Sequence, residues 1–367
     1  MDFHLARTTY ERYLHVWRER CQYEPSAWEH ERKQYIRLLQ EARWEEFWFL
    51  VMETPELLAS ILTSAFYLKP ECNVSVEEEA EFIRVGLSYL SEDSEPFCGG
   101  LLDRIIFRAY QYKTMLNETE KKGILKRAQR MVLVPPGTCR MGYSEHSIFV
   151  GAYLVIQALW DDVMGNKVHS IRGATLPVER ISWCDAIVFC NRLSIRDGLQ
   201  PVYSFPSFFM SALKRQELPQ DRVVERLARM IVMDWNADGY RLCTDREWEY
   251  CALGNVERRF AGSDSLDTVG WFDENSDQRL QPVGQKESNA FGLYDMSGSV
   301  SEWVWTRTVE VEDSFFEKAF PRTFMAGAGY YLGESFARIG CEYESDPSDR
   351  SLNAGFRLLR RRRDAVH

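Results

Sequence analysis

The spacing of apolar residues changes once along this chain. Up to about residue 128, aromatic and aliphatic residues recur every three or four positions with charged residues between them, as over 10–20 and 28–50. This spacing places the apolar side chains on one face of a helix. We therefore expect four to six helices, packed as a bundle, over residues 1–128.

The pattern after about residue 131 is different, because short β-like runs, glycine and proline become frequent and the helical periodicity fades. One helix is predicted over 183–194. A second is predicted to begin at Thr244, where Thr244 and Glu247 have the spacing of a capping box. We expect an α+β domain over 129–367, with a helical insertion at about 206–233.

Net charge and the cysteines narrow the class of protein. A formal net charge of −10 and a pI near 5.3 argue against general nucleic-acid binding. The arginines at 360–363 are a local exception. They could contact phosphates or an acidic partner, and the alternative is a solvated tail. Nine cysteines without disulfide or zinc spacing predict reduced, mostly buried thiols, and we expect a cytoplasmic protein.

Neither the N-terminus nor the most apolar run has the features of an export or membrane segment. The first ten residues are mixed and charged, unlike a secretory signal. The most apolar run, 47–68, is interrupted by Glu53, Pro55 and Glu56, which would be costly in a bilayer. This run is therefore predicted to be a buried helix, and no membrane partner is expected.

The second domain carries a series of ordered motifs. Residues 238–250, 289–303 and 353–357 read DGYRLCTDREWEY, NAFGLYDMSGSVSEW and NAGFR, preceded by MVLVPPG at 131–137 and PVERISW at 177–183. Together they resemble the formylglycine-generating enzyme family, also called sulfatase-modifying factors. The resemblance spans about two-thirds of the chain. It implies a variant of the C-type lectin fold with few short strands, two helices and long ordered loops.

The resemblance also implies a structural calcium site. In the family one loop binds calcium through a side-chain oxygen, two carbonyls and a carboxylate, which here correspond to Asp295, Gly298, Val300 and Glu302. Calcium prefers six to eight oxygen ligands, and short glycine-rich turns can supply inward carbonyls. The alternative is a tight turn in which the two acids accept hydrogen bonds from backbone amides.

The catalytic residues of the family are missing. The family enzyme resembles a copper(I) oxidase that converts a substrate cysteine to formylglycine with two nearby thiolates, between a glycine-rich turn and the Gly-Phe-Arg motif. Here that turn reads AGAG at 326–329, residues 330–340 contain no cysteine, and Cys341 stands alone. Because one thiol cannot form a two-thiolate site, we expect a pseudoenzyme without copper.

Other metal sites are also weakly supported by the sequence. Relatives that add a helical iron-binding domain, such as ergothioneine-forming sulfoxide synthases, need a His-x-x-x-His pair, and His4, His15 and His30 do not provide one. No iron is expected, and residues 1–128 are predicted to be an interaction domain that binds another protein. A remote site at His146 and His169 has no spacing in its favour. Core positions are predicted for four cysteines, Cys184, Cys190, Cys243 and Cys251.

The span between the glycine-rich turn and Gly-Phe-Arg is displayed on the outer face in relatives. It forms the enzyme's substrate groove and the hypervariable surface of variable proteins in diversity-generating retroelements. By that resemblance residues 326–352 form a recognition surface, with contacts predicted at Tyr330, Tyr331, Glu334, Phe336, Arg338 and Glu342. Tyrosine is a good contact residue, and the acids suit a basic or amphipathic partner. The alternative is an ordinary solvated loop.

These observations favour one function and leave a second open. The first is a non-catalytic ligand- or protein-binding protein, either a retroelement variable protein or an adaptor or sensor in a bacterial system. The alternative is a metal-dependent oxidase of the same superfamily with chemistry other than formylglycine generation. The two differ in the surface they require: a deep pocket with converging polar groups favours catalysis, and a shallow aromatic patch favours a partner.

Overall fold

The chain divides into two compact units, Met1–Ala109 and Tyr110–His367. A computed structural model describes residues 117–139, 142–165, 168–169, 171–207, 209, 230–305 and 323–362, with Asp103, Phe107 and Tyr110. The predicted N-terminal helical bundle therefore lies almost wholly outside the described residues. No helix in the described ranges is long and apolar enough to span a bilayer.

The second unit mixes short helices with short strands, which confirms the α+β prediction. Its helices are α1 Glu118–Ala128, α2 Gln157–Met164, α3 Trp183–Arg196, α4 Asp245–Leu253 and α5 Leu266–Val269, with a 3-10 turn at Glu334–Phe336. Its strands are β1 Met131–Val134, β2 Gly137–Thr138, β3 Tyr143–Ser144, β4 Ile148–Leu154, β5 Tyr203–Ser204, β6 Val232–Met233, β7 Ser301–Trp303, β8 Thr323–Ala326, β9 Glu342–Ser345, β10 Ala354–Gly355 and β11 Arg357–Arg361.

Two sheets organise the unit. The first has the order β1-β4-β11, with β4 antiparallel to both neighbours, so it joins the start of the domain to its C-terminal end. The second has the order β10-β7-β8-β9, in which β10 is parallel to β7 and the other pairs are antiparallel. Because β8 lies beside β7, the glycine-rich turn that follows Ala326 is held next to the 295–303 loop.

Both predicted helices are present and both begin at capping boxes. In α4 the Thr244 Oγ1 accepts from the Glu247 amide at 3.1 Å, and Glu247 Oε2 accepts from the Thr244 amide at 2.9 Å, which confirms the prediction. Ser182 and Asp185 form an equivalent pair at the start of α3. That helix continues to Arg196, two residues beyond the predicted end.

The core is built largely from aromatic side chains. The indoles of Trp248 and Trp303 and the rings of Tyr240 and Phe356 are buried, as predicted. Trp305 departs from the prediction, because it is only half-buried, with its ring stacked on that of Trp183 at 5.2 Å. Large rings packed edge-to-face and offset bury much apolar area, which stabilises a fold with little regular structure.

The predicted helical insertion is only partly tested. Residues 211–229 lie outside the described residues. The end of the predicted insertion is a strand, since β6 pairs antiparallel with β5, with Tyr203 opposite Met233. The helical prediction was therefore wrong at 232–233, where an apolar pair joins a two-stranded ribbon instead of continuing a helix.

Candidate functional site

The glycine-rich turn after β8 is tightly packed. Gly327 has a φ of 74°, in the left-handed region, and lies over the Trp248 indole. A Cβ on Gly329 would approach the Cβ of Asn353 to 2.7 Å, so only glycine fits there. This turn fixes the position at which residues 330–345 leave the core.

Tyr330 is an anchor for this span and is not displayed, contrary to the prediction. Its side chain is 6% exposed. Its amide donates to the Ser299 carbonyl at 2.7 Å, and its carbonyl accepts from Ser276 Oγ at 2.8 Å. These contacts, made by residues far away in sequence, turn Tyr330 inward while its neighbour Tyr331 faces outward.

Tyr331 and Phe336 are displayed, as predicted, with 37% and 44% of their surfaces exposed. The loop between them is held from below, because Ala337 is buried against Phe260 and Leu332 packs on the same apolar cluster. Backbone bonds add to this anchoring, with the Leu332 carbonyl accepting from the Asp273 amide at 3.2 Å. The two exposed rings therefore sit on a fixed backbone.

The predicted charged contacts also reach the surface. Glu334, Arg338 and Glu342 are exposed. Glu334 Oε1 pairs with Arg259 Nη2 at 3.0 Å, and both side chains are about half exposed, so the pair contributes little to stability. We call Tyr331, Glu334, Phe336, Arg338 and Glu342 the recognition surface. It includes every predicted contact residue except Tyr330.

Strand β9 forms one border of the recognition surface. Glu342 and Glu344 are exposed on it, while Tyr343 between them is half-buried. The Tyr343 hydroxyl donates to the Phe336 carbonyl at 3.1 Å, and the two rings are 6.1 Å apart. This contact connects the strand to the loop that carries the exposed aromatic side chains.

The six cysteines in the described part of the chain are free thiols, and most of them are buried. Cys341 is half-buried and its thiol lies 3.6 Å from the Ser335 carbonyl. Burial raises the pKa of the Cys184, Cys190 and Cys243 thiols, so they remain protonated at neutral pH. Those three cysteines and Cys251 are buried and unpaired, as predicted.

No group of three or more His, Cys, Asp or Glu side chains within the described ranges is arranged to hold a metal ion. His169 instead contacts Asp161, with Nε2 2.9 Å from Oδ1, and His146 lines a cleft described below. The structure does not bring these two predicted candidates together as a site.

The loop predicted to bind calcium is held by protein contacts. Glu302 accepts two hydrogen bonds from Arg357, Nε to Oε2 at 2.7 Å and Nη2 to Oε1 at 2.9 Å. Asp295 Oδ2 accepts from the Gly284 amide at 2.7 Å. Because Arg357 binds both oxygens of Glu302, a calcium ion at this carboxylate would share it with a buried guanidinium. The contacts resemble the alternative of a tight turn, and calcium stays a prediction.

The loop that contains Gly298 and Val300, the predicted carbonyl ligands of calcium, has several residues with positive φ. Asp295, Gly298 and Ser299 all have positive φ values, of 56°, 86° and 69°. A non-glycine residue in this region costs free energy, so surrounding contacts must hold it. The Ser299 amide donates to the Trp271 carbonyl at 2.8 Å, and the Ser299 carbonyl accepts from the Tyr330 amide, so contacts on both sides hold this residue.

A separate cleft of about 290 Å³ opens at the start of α4. Its walls include the ion pair of Arg241 with Glu247. The other lining residues are aromatic or charged, or histidine, and include Tyr143, Glu145, His146, Trp235, Asp245, Arg246 and Arg361. Arg241 binds both oxygens of Glu247, at 2.6 and 2.7 Å. Both positive and negative groups line the cleft, so its charge does not single out one class of small ligand.

Comparison with known proteins places the second unit in a family. Residues 143–362 match the sulfatase-modifying factor enzyme 1-like domain. The chain is 33% identical over 203 residues to chaperone protein LppX of Paenibacillus barcinonensis, covering 48% of this chain and 70% of that protein. It is 29% identical over 144 residues to the formylglycine-generating enzyme of Mus musculus, covering 32% of this chain and only 38% of the enzyme.

One solved structure has a similar fold. Treponema denticola variable protein 1 superposes with a TM-score of 0.52 and 26% sequence identity, covering 63% of this chain and 95% of that protein. The fold and the ordered motifs agree with the family resemblance seen in the sequence. The chain belongs to the sulfatase-modifying factor enzyme 1-like family.

Proposed function

We propose that this chain is a non-catalytic protein-binding protein that recognises its partner through the recognition surface, which lies within residues 326–352. The observation that carries the proposal is the exposure of Tyr331 and Phe336 on a loop anchored by Tyr330 and Ala337, which are buried. Exposed aromatic side chains at fixed positions are typical of protein-binding surfaces.

The anchoring of the loop supports the proposal. Binding costs less conformational entropy when the contact residues are already held in place. Here the turn at Gly329, the Tyr330 hydrogen bonds and the Tyr343–Phe336 contact fix the backbone from three sides. The scaffold therefore provides rigidity while the side chains on it provide specificity.

The comparisons support the same class of function. One relative is a variable protein and another is named a chaperone, and a chaperone binds other polypeptides. Retention of the family scaffold without the cysteine pair at 330–340 agrees with binding in place of catalysis. The proposal has two versions: the chain acts as a retroelement variable protein, or as an adaptor or sensor in a bacterial system. We also propose a cytoplasmic location and a protein partner for residues 1–128.

The test compares capture of partners by matched variants. Wild type, Tyr331→Ala/Phe336→Ala and Ile195→Ala/Val256→Ala would each be used to capture proteins from the native lysate for mass spectrometry. The last variant removes exposed apolar side chains elsewhere, since Ile195 and Val256 are 66% and 45% exposed. A protein retained by wild type and this control, but lost with the surface variant, is the expected result.

The same preparations test whether the chain retains copper-dependent oxidation of a cysteine peptide. Each protein would be supplied with copper(I), dioxygen and a cysteine peptide, and oxygen consumption and peptide mass would be followed. We expect no oxidation of the peptide above that in protein-free samples. Turnover that disappears in Cys341→Ser would contradict the proposal.

A further inference from the structure

Glu249 is a buried acid on α4, one turn after Asp245. The residue is 6% exposed, and its Oε2 is shielded from solvent without a hydrogen-bond donor. The nearest cation among the described residues is Arg246, whose Nη1 lies 3.5 Å from this oxygen. That side chain is 58% exposed, so water screens its charge.

Three other buried acids of the described chain have an arginine partner. Glu302 and Glu247 are each bound through both oxygens by an arginine, at 2.6–2.9 Å. Asp185, also buried, has Arg350 Nη2 3.0 Å from its Oδ2. Burying a carboxylate is costly unless donors compensate. Glu249 stands apart from these three because no comparable donor reaches it.

The groups that face Glu249 are mostly acidic. Glu342 on β9 and Asp245 on α4 both disfavour its charge, and Arg246 is the cation that opposes them. Burial, followed by the charge of Glu342, raises the pKa of Glu249 to about 7. Burial and Asp245 also raise the pKa of Glu342. A cation between Glu249 and Glu342 would lower the free-energy cost of their negative charges.

The position of this pair fits a bound polypeptide. Glu342 belongs to the recognition surface, and the next residues along it are the exposed acids Glu344, Asp346 and Asp349. On the other side, the backbone at Gly142 closes over Glu249, since a Cβ there would lie 3.0 Å from the Cβ of Glu249. On β9, Glu342 pairs with Ala326, which lies in the same apolar cluster as Trp248 and Tyr250, the chain neighbours of Glu249.

We propose that Glu249 and Glu342 together receive a lysine or arginine side chain of the protein partner. The inference rests on the proposed function and adds the chemistry of the partner, which is a segment with a basic residue beside apolar ones. A cation held by two carboxylates at a partly buried site makes charge-assisted hydrogen bonds, the stronger class of such bonds. It also compensates the buried charge of Glu249.

The test selects short random peptides displayed on phage against the full chain at about pH 8, where Glu249 is ionised. Selection would be repeated on Glu249→Gln, on Glu342→Gln, and on Glu257→Gln as a control with the same charge change at an exposed acid. Tyr331→Ala/Phe336→Ala would show which peptides bind at the recognition surface. We expect wild type and the control to enrich peptides that contain lysine or arginine. Either glutamine at the pair should weaken their binding by about tenfold or more.

Two failures are distinguishable. In the first, the selected peptides depend on Tyr331 and Phe336 but show no preference for basic residues, or they bind Glu249→Gln and Glu342→Gln as well as wild type. This result would overturn the inference and leave the proposed function standing. Selection of no peptide that depends on Tyr331 and Phe336 would contradict both. Because Glu342 is exposed, Glu342→Gln keeps the test valid even if Glu249→Gln alters folding.

Discussion

Arg357 and Glu302 form a bidentate ion pair in the centre of the second unit, with each side chain 1% exposed. The same guanidinium donates to the Gly151 carbonyl at 3.1 Å and to the Tyr294 carbonyl at 2.9 Å. One side chain thereby joins β11 to β4, to β7 and to Tyr294, the residue before the 295–303 loop. The loop beneath the recognition surface takes its position from this arrangement.

Removing Arg357 should destabilise the fold strongly, because it leaves an uncompensated carboxylate at Glu302 and two carbonyls without a donor. We expect Arg357→Ala to lower the free energy of unfolding by about 3–5 kcal/mol, measured by denaturant titration. Arg338→Ala, on the exposed surface, should change it by less than about 0.5 kcal/mol. Equal effects for the two variants would contradict the importance of the buried pair.

Two adjacent tyrosines should respond in opposite ways to substitution. Tyr330→Ala should lower the free energy of unfolding by about 3 kcal/mol, since it removes a buried ring. Tyr331→Ala should change it by less than about 1 kcal/mol and weaken partner binding. Thermal melts and a binding assay on both variants check this, and a reversal of the two phenotypes would show that the loop is turned the other way.

The Glu249 carboxyl should make stability depend on pH. Its pKa in the folded protein, about 7, lies above the ordinary value of 4.5, so between these values the folded state binds more protons than the unfolded state. The free energy of unfolding should therefore fall as pH rises from about 5 to 8. A loss on the order of 2 kcal/mol is expected for this group.

Denaturant titrations of wild type and Glu249→Gln at several pH values measure the contribution. The glutamine variant should lack this loss, while Glu257→Gln should follow wild type. Identical pH profiles for wild type and Glu249→Gln would show that the carboxyl titrates as it would in water.

Calcium should have little effect if the loop is held only by protein contacts. With both oxygens of Glu302 bound by Arg357, we expect addition of calcium or of a chelator to leave the melting temperature unchanged. Calorimetric titration with calcium gives the direct check. A melting temperature that rises with calcium, and does not rise in Asp295→Ala, would establish the calcium site predicted from the sequence.

Features that depend on a few neighbouring residues could be predicted. The capping box at Thr244 and Glu247 is written in four consecutive residues and is present as expected. The equivalent pair at Ser182 and Asp185 was missed, although the same serine-x-x-acid spacing is visible in the sequence. The burial of Phe356 also follows from the family motif that contains it.

Features set by distant contacts could not be predicted. Tyr330 and Tyr331 are alike in the sequence, and only contacts with Ser276 and Ser299 decide which one is buried. Glu249 looks like an ordinary acid on an exposed helix face until β9 brings Glu342 beside it. The chemistry of the recognition surface therefore comes from tertiary packing more than from local pattern.

The most direct test of the central claim is the comparative capture of a partner by wild type, Tyr331→Ala/Phe336→Ala and Ile195→Ala/Val256→Ala. The account predicts a protein retained by the first and third and lost from the second, with all three chains folded. Equal retention by all three, with the variants folded, would show that residues 326–352 do not recognise that protein.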